Sequence, residues 1–111
     1  VKVREIRQNE VIVFELSGRL TEGREMDELA DRVNKLIDEG LKKLVFDLNK
    51  VYWIDSSGLG LLIRAYTRIQ KVEGELKLAR VTHSVESLLH MTKLSTVFGV
   101  YETVEEAVAS F

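Results

Sequence analysis

Leu44-Val45-Phe46-Asp47-Leu48-Asn49-Lys50-Val51-Tyr52-Trp53-Ile54-Asp55-Ser56-Ser57-Gly58-Leu59-Gly60 is the stretch from which the rest of the chain can be read. Its first five residues are almost continuously apolar, the pattern of a strand buried on both faces inside a sheet flanked by helices. Val51 to Ile54 is a second apolar run that delivers the chain to Asp55. From about Ser57 to Glu73 the apolar residues fall at Leu59, Leu62, Ile63, Tyr66, Ile69 and Val72, the three-and-four spacing of a helix with one buried stripe. Gly74 marks its end. A buried strand passing through a polar turn into an amphipathic helix is the unit of an α/β fold.

Working outward, the same periodicities recur. Upstream, Arg24 to Glu39 carries Met26, Leu29, Ala30, Val33, Leu36 and Ile37 at helical spacing, with Gly40 as the stop. Before it, Val11 to Leu16 reads as an apolar strand ended by Ser17-Gly18. Val1, Val3 and Glu5 alternate with Lys2, Arg4 and Ile6, and the short turn Arg7–Glu10 makes these first two strands an antiparallel hairpin. Downstream, Leu76, Leu78 and Arg80 alternate with Lys77, Ala79 and Val81 as another strand. Thr82 or Ser84 then caps a short helix carrying Val85, Leu88 and Leu89. A short extended piece at Val97–Tyr101 leads to a last helix capped by Thr103, with Glu106 three residues on and Val104, Ala107, Val108 and Phe111 as anchors. The predicted fold is α/β: a mixed, mostly parallel sheet of about four to five strands with four helices packed on it, its parallel strands joined by right-handed crossovers.

The bulk numbers narrow the function. The 111 residues suit one domain spanning 1–111, and 45% hydrophobic with 31% charged residues suits a real core under a solvated surface. Cysteine is absent, which excludes disulfides and thiolate chemistry and accords with a reducing cytoplasm. The start alternates polar and apolar residues, unlike a signal peptide, and the longest apolar stretches fall far short of the roughly 20 residues of a membrane span. A net charge of −2 argues against a broad electrostatic grip on nucleic acid or an anionic membrane.

Only Ile54–Gly60 is dense in residues that carry chemistry. It lies where a buried strand region turns into a helix, whose first N–H groups and partial positive charge face outward. A phosphate on a serine here would add about −1.5 to −2 charges where the helix dipole tolerates them, beside the fixed charge of Asp55. Gly58 and Gly60 leave room for a kinase or partner backbone to approach. Against this, Asp and Ser ahead of a helix are ordinary N-caps, and on the residues alone the structural cap outweighs the functional site.

Other signals are weaker. Gly58-Leu59-Gly60 lacks the third glycine of a dinucleotide fingerprint, since Ile63 stands there, and no Gly-Lys-Ser/Thr follows to make a Walker loop. Ser56 and Ser57 lack the preceding glycine of a nucleophile elbow. Asp55, Ser56 and His83 do not suit a triad, because adjacent Asp and Ser side chains do not flank one imidazole. His83 and His90 read as surface residues rather than metal ligands, Arg64 and Arg68 as one solvated helix face available to an acidic partner. Tyr52 and Trp53 suit either the core or a partner face.

Asp55-Ser56-Ser57-Gly58-Leu59-Gly60 resembles the signature of the STAS family in its anti-sigma-factor-antagonist branch. Leu16-Ser17-Gly18-Arg19-Leu20 resembles that family's turn after the second strand, and Leu44–Leu48 its central strand. The resemblance implies a non-enzymatic protein without cofactors that binds an anti-sigma factor, itself a serine kinase, and so frees the sigma factor. It implies that the kinase inactivates the protein by phosphorylating Ser56 and that a serine phosphatase restores it. Asp55, Ser57 and Gly58 would shape the site, and Gly18, Thr21 and Glu22 would extend the docking surface of a cytoplasmic monomer. Thr21 departs from the acidic residue that many members carry there, which bears on which partner is bound. A second expectation, of a different class, is a small-molecule or nucleotide sensor holding an anion at the Ser57–Gly60 helix start.

Overall fold

The computed structural model describes residues 1–111. Strands β1 (Lys2–Gln8) and β2 (Val11–Leu20) form an antiparallel hairpin, followed by helix α1 (Arg24–Asp38) and the long strand β3 (Lys43–Ile54). Helix α2 (Ser56–Gln70), strand β4 (Glu75–Ala79), helix α3 (His83–Met91), strand β5 (Gly99–Tyr101) and helix α4 (Val104–Ala109) complete the chain. The five strands lie in sequence order, with β2, β3, β4 and β5 pairing in parallel. The predicted mixed sheet with four helices is therefore observed, with five strands.

Strand alternation divides the sheet into two unequal faces. Ile12, Phe14, Leu16, Leu44, Phe46, Leu48, Leu76 and Leu78 point to the face covered by α1, α2 and α3, and there the main core lies. Val11, Val13, Val45 and Ala79 point to the other face, where Ala107 of α4 and its neighbours Val104, Val108 and Phe111 cover them. Thr103 caps α4 by accepting the Glu106 N–H at 3.0 Å.

Two boundaries and one buried face differ from the sequence reading. Ser17-Gly18 does not end β2: Gly18 takes φ +96°, which only glycine adopts easily, and two register shifts carry the strand on to Leu20 beside β3. The apolar runs Leu44–Leu48 and Val51–Ile54 form one strand, because exposed Asn49 and Lys50 sit at the register shift instead of in a loop. In α2 the buried residues are Gly58, Leu59, Leu61, Leu62, Ala65 and Ile69, whereas Ile63 is exposed. Packing of α2 against α1 as well as the sheet widens its buried stripe toward Leu61 and Ala65.

Candidate functional site

Parallel pairing of β2 with β3 continues to their last residues, Arg19 opposite Trp53 and Leu20 opposite Ile54. The two strands therefore end together, and α2 starts from that shared end. Asp55 is the N-cap, in extended conformation, and its peptide oxygen accepts the first helical bond from Leu59 N at 3.0 Å. Its side-chain Oδ1 accepts three hydrogen bonds: from Ser57 N at 3.0 Å, from Gly58 N at 3.1 Å and from the Ser57 hydroxyl at 2.6 Å. The Ser57 hydroxyl bond, then the Gly58 and Ser57 amides, hold the Asp55 carboxyl below the ordinary carboxylate range, so it stays ionised at neutral pH.

The two serines are thus unlike. Ser57 is half-buried with its hydroxyl turned back on Asp55, whereas Ser56 is exposed on the first turn of the helix and takes no part in these bonds. Gly58 is buried, and a Cβ there would collide with the Leu20 carbonyl oxygen and lie 2.9 Å from Ile54 Cγ1. Glycine is needed here for close approach: the helix start rests directly on the end of β2.

The structure brings Asp55, Ser56, Ser57 and Gly58 together with the end of β2. Gly18 sits inside β2, not in the following loop, and Thr21 and Glu22 leave the strand directly after Leu20 has paired with Ile54. The helix start does not offer the free donors expected of an anion site, because Asp55 already occupies the Ser57 and Gly58 N–H groups.

Beside the site lies a surface that periodicity left open. Tyr52 is 66% exposed and Trp53 49% exposed, and the Arg19 guanidinium lies 5.9 Å from the Trp53 ring centroid. Arg19 carried no signal of its own in the sequence; only the parallel register sets it across from Trp53. Arg68 is engaged by Asp38 at 2.6 Å, whereas Arg64 folds back toward Gly60. Thr82 makes no side-chain cap of α3; its hydroxyl donates to the Val51 carbonyl at 2.7 Å, and Ser84 donates to Tyr52 O at 3.2 Å. These bonds tie the start of α3 to the end of β3. His83 and His90 are exposed.

A model of the STAS domain matches residues 3–107. The anti-sigma F factor antagonist of Paenibacillus polymyxa is 29% identical over 97 residues, covering 83% of this chain and 79% of that protein. The solved structure of the anti-sigma factor antagonist SpoIIAA in its unphosphorylated form is similar with a TM-score of 0.85 at 20% identity, covering 96% of this chain and 93% of that one. The Bacillus cell-fate determinant SpoIIAA in its phosphorylated form gives 0.82 at 18% identity, covering 98% of each chain. The likeness to these two structures is one of fold.

Proposed function

The chain belongs to the STAS domain family, and from that premise we propose that it is an anti-sigma-factor antagonist switched by phosphorylation of Ser56. In the unmodified state it binds an anti-sigma factor through the exposed helix start and the adjoining end of β2, and the sigma factor is released. That anti-sigma factor is a serine kinase; it transfers the γ-phosphoryl group of ATP to the Ser56 oxygen, releasing ADP and the hydroxyl proton, and a serine phosphatase hydrolyses the ester with water to restore the hydroxyl and release inorganic phosphate. The catalytic groups belong to those partners, so this chain acts as a non-enzymatic switch in the cytoplasm. The P. polymyxa relative bears the name of an anti-sigma F factor antagonist, and a structural relative exists in unphosphorylated and phosphorylated forms.

The observation that carries the assignment to Ser56 is its exposure beside an ionised Asp55 whose Oδ1 is engaged by Ser57 and Gly58 and not by Ser56. An exposed hydroxyl can enter a kinase active site without unfolding the helix. Once phosphorylated, it places about two further negative charges next to Asp55, in the positive field of the helix start but in full contact with any docked partner. A partner surface that accepts a neutral hydroxyl must then desolvate a dianion beside a carboxylate, and binding is lost. Asp55, Ser57 and Gly58 hold the local shape; Gly18 carries β2 to the site, and Thr21 and Glu22 extend the docking surface.

Intact-mass analysis after incubation with ATP and a candidate anti-sigma kinase, followed by fragment mapping, tests this. One added phosphate on Ser56, absent from Ser56→Ala, supports the assignment. Phosphate on Ser57 instead, or retained in Ser56→Ala, refutes it.

A further inference from the structure

We propose that the uncovered half of the second sheet face is a binding recess for a compact phosphate-ester dianion, separate from the Ser56 site. Helix α4 and the residues after it cover Val11, Val13, Val45 and Ala79 on that face, with Ile6 and Tyr101 at the margin. Over the middle of β3, the facing residues of β1 and β2 and the end of β4 they leave a recess of about 350 Å³, whose charged lining is Lys2, Arg4, Glu15, Asp47, Lys50 and Arg80.

Charge gives the class of ligand. Four cationic side chains face two carboxylates, an excess of two positive charges in a chain whose net charge is −2. Arg4 pairs with Glu15 at 3.4 Å, while Lys2 and Lys50 have no carboxylate within ion-pairing distance. The floor is more constrained. Asp47 is only 2% exposed, a costly place for a carboxylate, and it holds Arg80 through Nε at 3.1 Å and Nη2 at 2.6 Å. That bidentate grip fixes the guanidinium plane and leaves Nη1 without a hydrogen-bond partner. The simpler role for this pair is a latch between β3 and the end of β4; it does not account for the two unpaired lysines beside it.

Size and lining narrow the ligand further. Only Val3 and Leu16 among the ten lining residues are hydrophobic and none is aromatic, so no wall holds a nucleobase. Ser17 and Asn49 offer additional polar groups suited to hydroxyls on a small ester. The fitting occupant is a phosphate monoester of few carbons.

The test is an amide-resolved NMR titration of the whole chain with glycerol 3-phosphate at constant ionic strength, with succinate and sulfate as parallel arms. The expected result is saturable shifts centred on Arg4, Glu15, Asp47–Lys50 and Arg80. Lys50→Glu should weaken binding roughly tenfold, and Arg80→Lys comparably, as expected for losing a hydrogen bond to a charged group. Both variants should keep the wild-type circular dichroism, and Ser56→Ala should bind as wild type. Linear shifts without saturation, equal affinity for succinate, or shifts centred on Ser56–Gly60 would each overturn the proposal. Because the readout is independent of any kinase, its failure leaves the Ser56 assignment untouched.

Discussion

The Ser57 hydroxyl donates to Asp55 Oδ1 at 2.6 Å, and through that bond two adjacent serines acquire different chemistry. Ser57 is committed to the N-cap, and its hydroxyl is held on the protein side of the helix start. Ser56, one residue earlier, faces solvent. The helix start therefore separates a structural hydroxyl from an accessible one.

A charge at position 56 should abolish partner binding while removal of the hydroxyl should not. Ser56→Asp is expected to weaken binding to the proposed anti-sigma-factor partner by at least roughly tenfold, the scale of one desolvated like-charge contact. Ser56→Ala should bind as wild type and resist the kinase. Calorimetric titration of both variants decides the matter; wild-type affinity in Ser56→Asp would sink the charge argument.

Asp55 should stabilise the fold at neutral pH and cease to do so in acid. Its folded-state pKa is lowered, chiefly by the Ser57 hydroxyl, relative to the unfolded chain. The stabilisation is therefore fully present above the unfolded carboxylate pKa of about 3.9 and is lost as pH falls through the lower folded value. Urea midpoints of wild type and Asp55→Ala should differ at neutral pH, with wild type higher, and the difference should shrink as pH falls below the ordinary carboxylate range. A pH-independent difference would show that the carboxylate charge is not what the cap uses.

Gly58→Ala should destabilise the protein although it replaces glycine inside a helix. Helix propensity alone favours alanine by about 1 kcal/mol. The added methyl would run into the Leu20 carbonyl oxygen, a backbone atom that cannot swing aside, and overpacking of this kind costs about 1–3 kcal/mol. The clash is expected to win, lowering the thermal midpoint by several degrees. A raised midpoint would mean that α2 can slide away from β2 freely.

Removing either partner of the Asp47–Arg80 pair should destabilise, but unequally. Arg80→Ala strands a carboxylate that is 2% exposed, whereas Asp47→Ala leaves a guanidinium whose side chain is 39% exposed and can be hydrated. Loss of Arg80 should therefore cost about 3 kcal/mol and loss of Asp47 nearer 1–2 kcal/mol, with the half-exposed partner screened by solvent. Chemical denaturation of the two single variants measures the order; the reverse order would refute the burial argument.

Much of the molecule was legible from residue pattern. The helical spacing of Met26, Leu29, Val33, Leu36 and Ile37 placed α1 to within a residue, because apolar side chains must share one face to reach a core. Asp55 before a helix read as an N-cap and is one, since capping is local chemistry between residues two and three apart. The Asp55–Gly60 motif marked the site for the same reason: all its parts are contiguous.

What pattern did not reveal depends on distant partners. Ser17-Gly18 looks like a strand end, yet a parallel neighbour and a positive φ at Gly18 carry β2 on to the site. Thr82 looks like a helix cap, yet its hydroxyl bonds the Val51 carbonyl 31 residues away. The sequence by itself determined the elements, the cap and the identity of the two serines, because those follow from contacts within a few residues. Only the tertiary structure decided that Leu20 presses on Gly58, that Arg19 faces Trp53, and that Asp47 is buried under Arg80. Those relationships arise from strand register and sheet order, which join residues more than thirty positions apart and leave no periodic trace in the chain.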